Sequence, residues 1–178
     1  MKSILFIICT FFTTFVCGQT TKYGELIMDA RQAFMQMKYK FAEEKLRIAL
    51  GMDSNRVEAY YCIGLVYYID CEMEGKNCDT CIFYFNKAIE KNKDYENPHF
   101  YIGSCKGTVH DFNGALKEFN IAIEKHSDTL VYARRAKIKV QLKDLVGACE
   151  DYYNSAQLGS ILSREIFDRN CYTKPKDK

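Results

Sequence analysis

Cys78-Asp79-Thr80-Cys81 places two thiols three residues apart where a helix should start. Thiol–disulfide exchange uses that spacing, because a helix N-terminus favours a thiolate. The chain has nine cysteines. Cys9 and Cys17 fall in an apolar N-terminal run, which leaves Cys62, Cys71, Cys78, Cys81, Cys105, Cys149 and Cys171. That odd number leaves one thiol over once pairs are drawn. Cys71, Cys78 and Cys81 admit three readings: a Cys71–Cys78 bridge pinning a loop, a redox pair at Cys78 and Cys81, or a metal site. Zinc would want a fourth ligand, and no histidine lies nearby in sequence. A redox motif normally sits in a βαβ context, which is absent here. The structural reading is therefore preferred, and no metal and no cofactor is expected. Cys62 and Cys105 read as small buried hydrophobes.

Other reactive side chains are sparse. His99, His110 and His126 are the only histidines, and two of them lie near helix ends. No Ser-His-Asp order, HExxH, GxSxG or phosphate loop is present. Acidic and basic residues interleave, as in Glu43-Glu44-Lys45 and Lys117-Glu118, the pattern of a solvated helix face. The 25 Lys+Arg against 23 Asp+Glu give a net charge of +2, with no basic stripe for nucleic acid. No catalytic residue is assigned and no enzyme is expected.

The elements that position these residues are legible from a repeat. With 48% hydrophobic and 27% charged residues the 178-residue chain can build a core, and only two prolines and ten glycines favour helices. Ala30, Gly64, Gly103 and Ala136 recur at spacings of 34, 39 and 33. Ala42, Cys81, Ala115 and Ala148 recur at 39, 34 and 33, as do Leu46, Phe85, Phe119 and Tyr152. Ala49, Ala88, Ala122 and Ser155 follow the same numbers. One insertion of five residues between Gly64 and Cys81 reconciles all four series. Glu43-Lys45-Leu46-Ala49-Leu50 and Tyr84-Phe85-Ala88-Ile89 carry helical apolar spacing. Asn97-Pro98 reads as an N-cap with a first-turn proline, Asp79 and Asn113 as starts of second helices, and Gly159-Ser160 as a helix stop and restart.

These residues resemble the tetratricopeptide repeat (TPR). Ile63-Gly64 with Tyr67-Tyr68 fits the first-helix pattern, and Asp111-Phe112, Ala115, Phe119 and Ala122 fit the second, as do Tyr39, Ala42, Leu46 and Ala49. The resemblance covers roughly residues 23–162. It implies an all-α, right-handed superhelix of about four helix-turn-helix repeats, at about 23–56, 57–95, 96–128 and 129–162. A capping helix over 160–171 follows, with Ile161, Leu162, Ile166 and Phe167 covering the last core. The whole TPR domain is placed at 19–172, with a flexible tail at 173–178. Departures are the missing repeat-closing prolines, the insertion, and Ala136 and Lys139 where Gly and Tyr are common.

The resemblance implies a concave groove lined by the first helices, taking a protein or peptide with apolar anchors and an acidic group. Its partner-binding residues would include Arg31, Phe34, Tyr61, Tyr68, Phe100, Ser104 and Lys137. Some TPR domains clamp a peptide carboxylate with Lys and Asn. The matching places hold Ile27, Arg31, Cys62, Ser104 and Thr108, so that clamp is broken. Cys149 and Cys171 lie at similar distances either side of Gly159-Ser160, so antiparallel helices would set them side by side as a disulfide. Exported bacterial TPR proteins have a similar Gly-Ala-Cys-acidic segment before a terminal cysteine.

Residues 1–18 read as a secretory signal: Lys2, an apolar run from Ile4 to Val16, and a cut after Gly18. The expected location is periplasmic or secreted. The alternatives are an uncleaved anchor and a lipid-modified Cys17. No second run of membrane length follows. The expected function is a non-catalytic, exported interaction scaffold, with a thiol-redox helper or a self-associating structural subunit as alternatives.

Overall fold

The computed structural model describes residues 22–95 and 97–171, all of their regular structure being helical. The signal, Cys17 and the 173–178 tail fall outside the described residues. Among the described residues nine helices follow in order: α1 (22–35), α2 (Tyr39–Met52), α3 (Val57–Glu74), α4 (Cys78–Lys91), α5 (Pro98–Thr108), α6 (Phe112–Lys125), α7 (Thr129–Gln141), α8 (Leu145–Gln157) and α9 (Ile161–Asn170). They form four antiparallel pairs and a last helix.

Each intra-repeat turn reverses the chain through one non-glycine residue in the left-handed region. These are Met37, Asn77, His110 and Lys143, at φ 57–64°. Three of the turns close with the same hydrogen bond, Lys38 N to Ala33 O, Asp111 N to Lys106 O and Asp144 N to Lys139 O. That bond satisfies carbonyls that a helix end leaves without partners. The second helices then start on caps that differ from the sequence reading. Asp111, not Asn113, accepts from Gly114 N to cap α6, and Asn77, not Asp79, stands before α4. The carboxylate must precede the first turn to reach its N–H groups, and Asn113 already lies inside it.

The recurring small residues let the paired helices approach. A Cβ on Gly64 would lie 2.9 Å from the Phe85 ring, and one on Gly103 would lie 3.0 Å from Phe119. Leu46, Phe85, Phe119 and Tyr152 of the second helices are all buried. Side by side, α3 touches α5 and α5 touches α7, while no comparable contact joins α4 to α6 or α6 to α8 among the described residues. The first helices therefore line the inside of the curve.

Two expectations change. The insertion is not mainly a loop. It lengthens α3 to 18 residues, against 11 for α5 and 13 for α7, and the helix ends only at Gly75, φ +67°. The last helix also caps differently. Ile161 and Leu162 are 77% and 65% exposed, and the buried residue is Ser163, whose hydroxyl meets Ser155 at 2.7 Å. At 100° per residue, Ser163 inside carries Ile166 and Phe167 inward and turns Ile161 and Leu162 away.

Candidate functional site

The inner face divides into an open N-terminal part and a bridged C-terminal part. Between α1 and α3 lies a cleft of about 440 Å³. Arg31 and Phe34 of α1, with Tyr61, Cys62 and Leu65 of α3, line it over a floor of Ala30, Leu46 and Val66. Arg31 stands exposed at the rim, its Nη2 donating to the Tyr95 hydroxyl at 3.4 Å. The Cys62 sulfur and then Tyr95 hold its guanidinium above its ordinary, already high pKa, so its charge is permanent. Phe34 is half-buried and meets Tyr39 edge to face at 5.5 Å.

Tyr61 forms the boundary of this cleft and of a second. It is 7% exposed and packs edge to face against Phe85, Tyr95 and Tyr101. Beyond it opens a space of about 600 Å³ lined by Phe100 and Tyr101 of α5 and by polar turn residues, among them Asp94, Asn97, Lys125, His126 and Asp128. Sequence reasoning missed those turn residues. They lie between repeats, where the periodicity that revealed the helices is silent. The available signals were two helix caps, Asn97 before Pro98 and Asp128 before Thr129, of which Asp128 accepts from Leu130 N and Val131 N.

Tyr68 and Ser104 line neither cleft. The lengthened α3 carries Glu72 far enough along the inner face to pair with Arg134 of α7, at 2.5 Å, skipping α5. Tyr68 donates to Glu72 at 2.9 Å and lies beside Ser104. Burial, with Glu72 adding to it, pushes the Tyr68 phenol up, so it stays a neutral donor. Ser104 is 6% exposed. Lys137 is exposed on α7 and lines neither space. Of the seven groove residues read from the sequence, the structure gathers Arg31, Phe34 and Tyr61 in one cleft and puts Phe100 in the next.

The reactive side chains are placed as follows. Cys71 bonds Cys78, tying the end of α3 to the start of α4, and Cys149 bonds Cys171, tying α8 to the end of α9. Cys78 and Cys81 do not face one another as a dithiol. Cys81 instead faces Cys105. His99 Nδ1 meets Glu118 at 2.8 Å, and Lys106 donates to the same carboxylate at 2.6 Å, bracing α5 on α6. Burial alone would raise the Glu118 pKa, but these two hydrogen bonds outweigh it and hold the carboxyl below its usual range. Among the described residues no three His, Cys, Asp or Glu side chains gather around a metal-sized space, and no helix is long and apolar enough to cross a membrane.

Antiparallel helix pairs stacked with their first helices inward define an α-solenoid. Its solved likenesses make the type specific: this chain has the tetratricopeptide-repeat fold. It is similar to the first TPR of Spaghetti (RPAP3) bound to the HSP90 peptide SRMEEVD, at 17% identity and a TM-score of 0.62, over 69% of this chain and 94% of that one. It is similar to MamA, at 14% identity and 0.68, over 83% and 81%. It is also similar to PilF of Pseudomonas aeruginosa, at 14% identity and 0.68, over 88% and 80%. No protein-family model and no curated protein matches the sequence.

Proposed function

We propose that this chain is an exported, non-catalytic adaptor that holds a protein segment in the cleft between α1 and α3. The observation that carries the reading is the cleft itself, apolar in its floor, aromatic in its walls and closed at one rim by the fixed charge of Arg31. Such a surface suits an extended or helical segment with one or two apolar anchors and a carboxylate near them. The RPAP3 likeness, a TPR with a peptide bound, supports this use of the fold. The ligand differs, because the Lys and Asn of a carboxylate clamp are replaced here by Arg31, Cys62, Ser104 and Thr108. Two disulfides support folding in an oxidising compartment, hence export to the periplasm or beyond.

The test is capture of partner segments from a peptide library by the full chain. Arg31→Glu with Phe34→Ala should weaken capture at least tenfold, about 1.4 kcal/mol, with helical content unchanged. Lys137→Glu, outside both clefts, should leave capture as it was. Equal capture by all three proteins would sink the reading. Tyr61 is spared because its ring holds three other aromatics in the core.

One observation favours self-association as a second reading. Val146 and Ile161 are 75% and 77% exposed on the last two helices, where a solenoid normally ends on a polar face. Ile161→Glu with Leu162→Glu should abolish any dimer seen by light scattering. A wild-type chain that stays monomeric at high concentration removes this reading.

A further inference from the structure

We propose that Cys81 and Cys105 form a third disulfide, joining the second repeat to the third inside the core. Their sulfurs lie 3.0 Å apart. Even two carbon atoms in contact sit roughly 3.5–4.0 Å apart, and sulfur is larger. Reaching bond length requires only about 1 Å of side-chain movement. Both residues are fully buried, at 0% exposure. A methyl group would fill the Cys81 position, since Ala42, Ala115 and Ala148 fill its equivalents in the other repeats. A thiol stands here only in the repeat whose neighbour presents a second thiol to it. The other two bridges show that the chain forms disulfides on either side of this pair.

The reaction is thiol–disulfide exchange with a small-molecule or protein disulfide as oxidant. One cysteine thiolate attacks a sulfur of the oxidant and expels its partner as a thiolate. The second cysteine thiolate then attacks the mixed disulfide and expels the remaining half. Cys81 and Cys105 are oxidised, the two sulfurs of the oxidant are reduced to thiols, and the two cysteine protons end on them. In the folded core the Cys105 sulfur and burial both push the Cys81 thiol up, so exchange there is suppressed. The bond therefore forms before α5 settles on α4, and afterwards small reductants reach it last. Together with Cys71–Cys78 it makes a covalent path from α3 through α4 to α5.

The full chain is reduced, unfolded and refolded in glutathione buffer until Cys71–Cys78 and Cys149–Cys171 have formed. It is then denatured in acid, alkylated without reduction and mapped by mass spectrometry. The expected result, once cleavage before Asp79 separates Cys78 from Cys81, is a linked peptide pair containing Cys81 and Cys105. Alkyl groups on both residues, in molecules carrying the other two bridges, would overturn the proposal. A Cys81→Ala variant, which the repeat tolerates at this position, supplies a second readout. Its Tm should fall below wild type by roughly 5–10 °C when both are oxidised, and the gap should nearly close when both are reduced. An equal gap in both states would show a packing loss alone and would also overturn it.

Discussion

Repeats two and four solve the same packing problem with different material. In repeat two, Gly64 lies against Phe85, which stacks on Tyr101 at 4.9 Å and meets Tyr61 edge to face. In this cluster carbon faces carbon. In repeat four, α8 buries Asp151 at 1% exposure. Arg135 of α7 donates to it from Nε and Nη2, at 2.9 and 2.6 Å, and Lys139 pairs with it at 2.9 Å. Lys139 also donates to the Gly147 carbonyl. Two cations and one carboxylate thus join α7 to α8 at the register where Tyr84 of repeat two stacks on Tyr67, while Tyr152 keeps the place of Phe85. Hydrophobic burial is non-directional, so an apolar cluster can seal a floor and still leave a receptive apolar cleft above it. A charge network fixes one register of α7 on α8 and spends its polar groups internally. The open cleft lies over the first kind of repeat, and the bridged inner face, with Arg134 on Glu72, leads into the second.

Removing the carboxylate should break this contrast most severely. Asp151→Ala leaves two part-buried cations without a counter-charge and should cost about 3–5 kcal/mol, seen as a Tm fall of roughly 10 °C. Hydrogen exchange should show the loss in α7 to α9 while α3 and α4 keep their protection. Replacing Asp151, Arg135 and Lys139 together with apolar residues should recover most of the stability. If the triple variant is as unstable as the single one, charge pairing does not organise this repeat.

A smaller effect should follow from unstapling the last helix. Cys149→Ser with Cys171→Ser should cost about 2–4 kcal/mol, with denaturant midpoint and α9 amide protection falling together. Half-buried Ile166 and Phe167, the Tyr153 ring against Phe167, the Ser155–Ser163 pair and the Arg164 hydrogen bond to the Ala156 carbonyl then hold α9. Loss spread evenly over repeats one to four would show instead that the solenoid unfolds as one unit.

The smallest effect sits at the seam between the two regions. Glu118 has a folded pKa below its unfolded value, so it stabilises the fold at pH above the usual carboxylate range. That contribution is lost as pH falls through the unfolded and then the folded value. Acid titration of stability should therefore show a limb below about pH 4.5, and Glu118→Gln should shallow it. An unchanged limb would assign the acid sensitivity to other carboxylates.

Much of this is legible in the sequence alone. Repeat boundaries, inward-facing small residues and the Phe85 and Phe119 anchors follow from period and residue size, because every stacked unit meets the same steric demand. The four-pair architecture follows with them. Arg31, Phe34 and Tyr61 share a cleft because their register on the first helices put them on one side. The register could not separate Tyr68 from Tyr61, since both fit the same stripe. What distinguished them was the reach of Glu72 to Arg134, 62 positions away in the chain.

The chain's local chemistry therefore determined what repeats: helix faces, turns, and the small and large positions that must meet. The tertiary structure alone decided what does not repeat. It turned a five-residue insertion into helix, chose Cys71 for Cys78 and set Cys81 against Cys105, brought Glu72 to Arg134, and turned Ile161 outward. The physical reason is range. Period and propensity act over a few residues, whereas these partners are selected by which side chains the stacked helices bring within a few ångströms, and that is a property of the whole array.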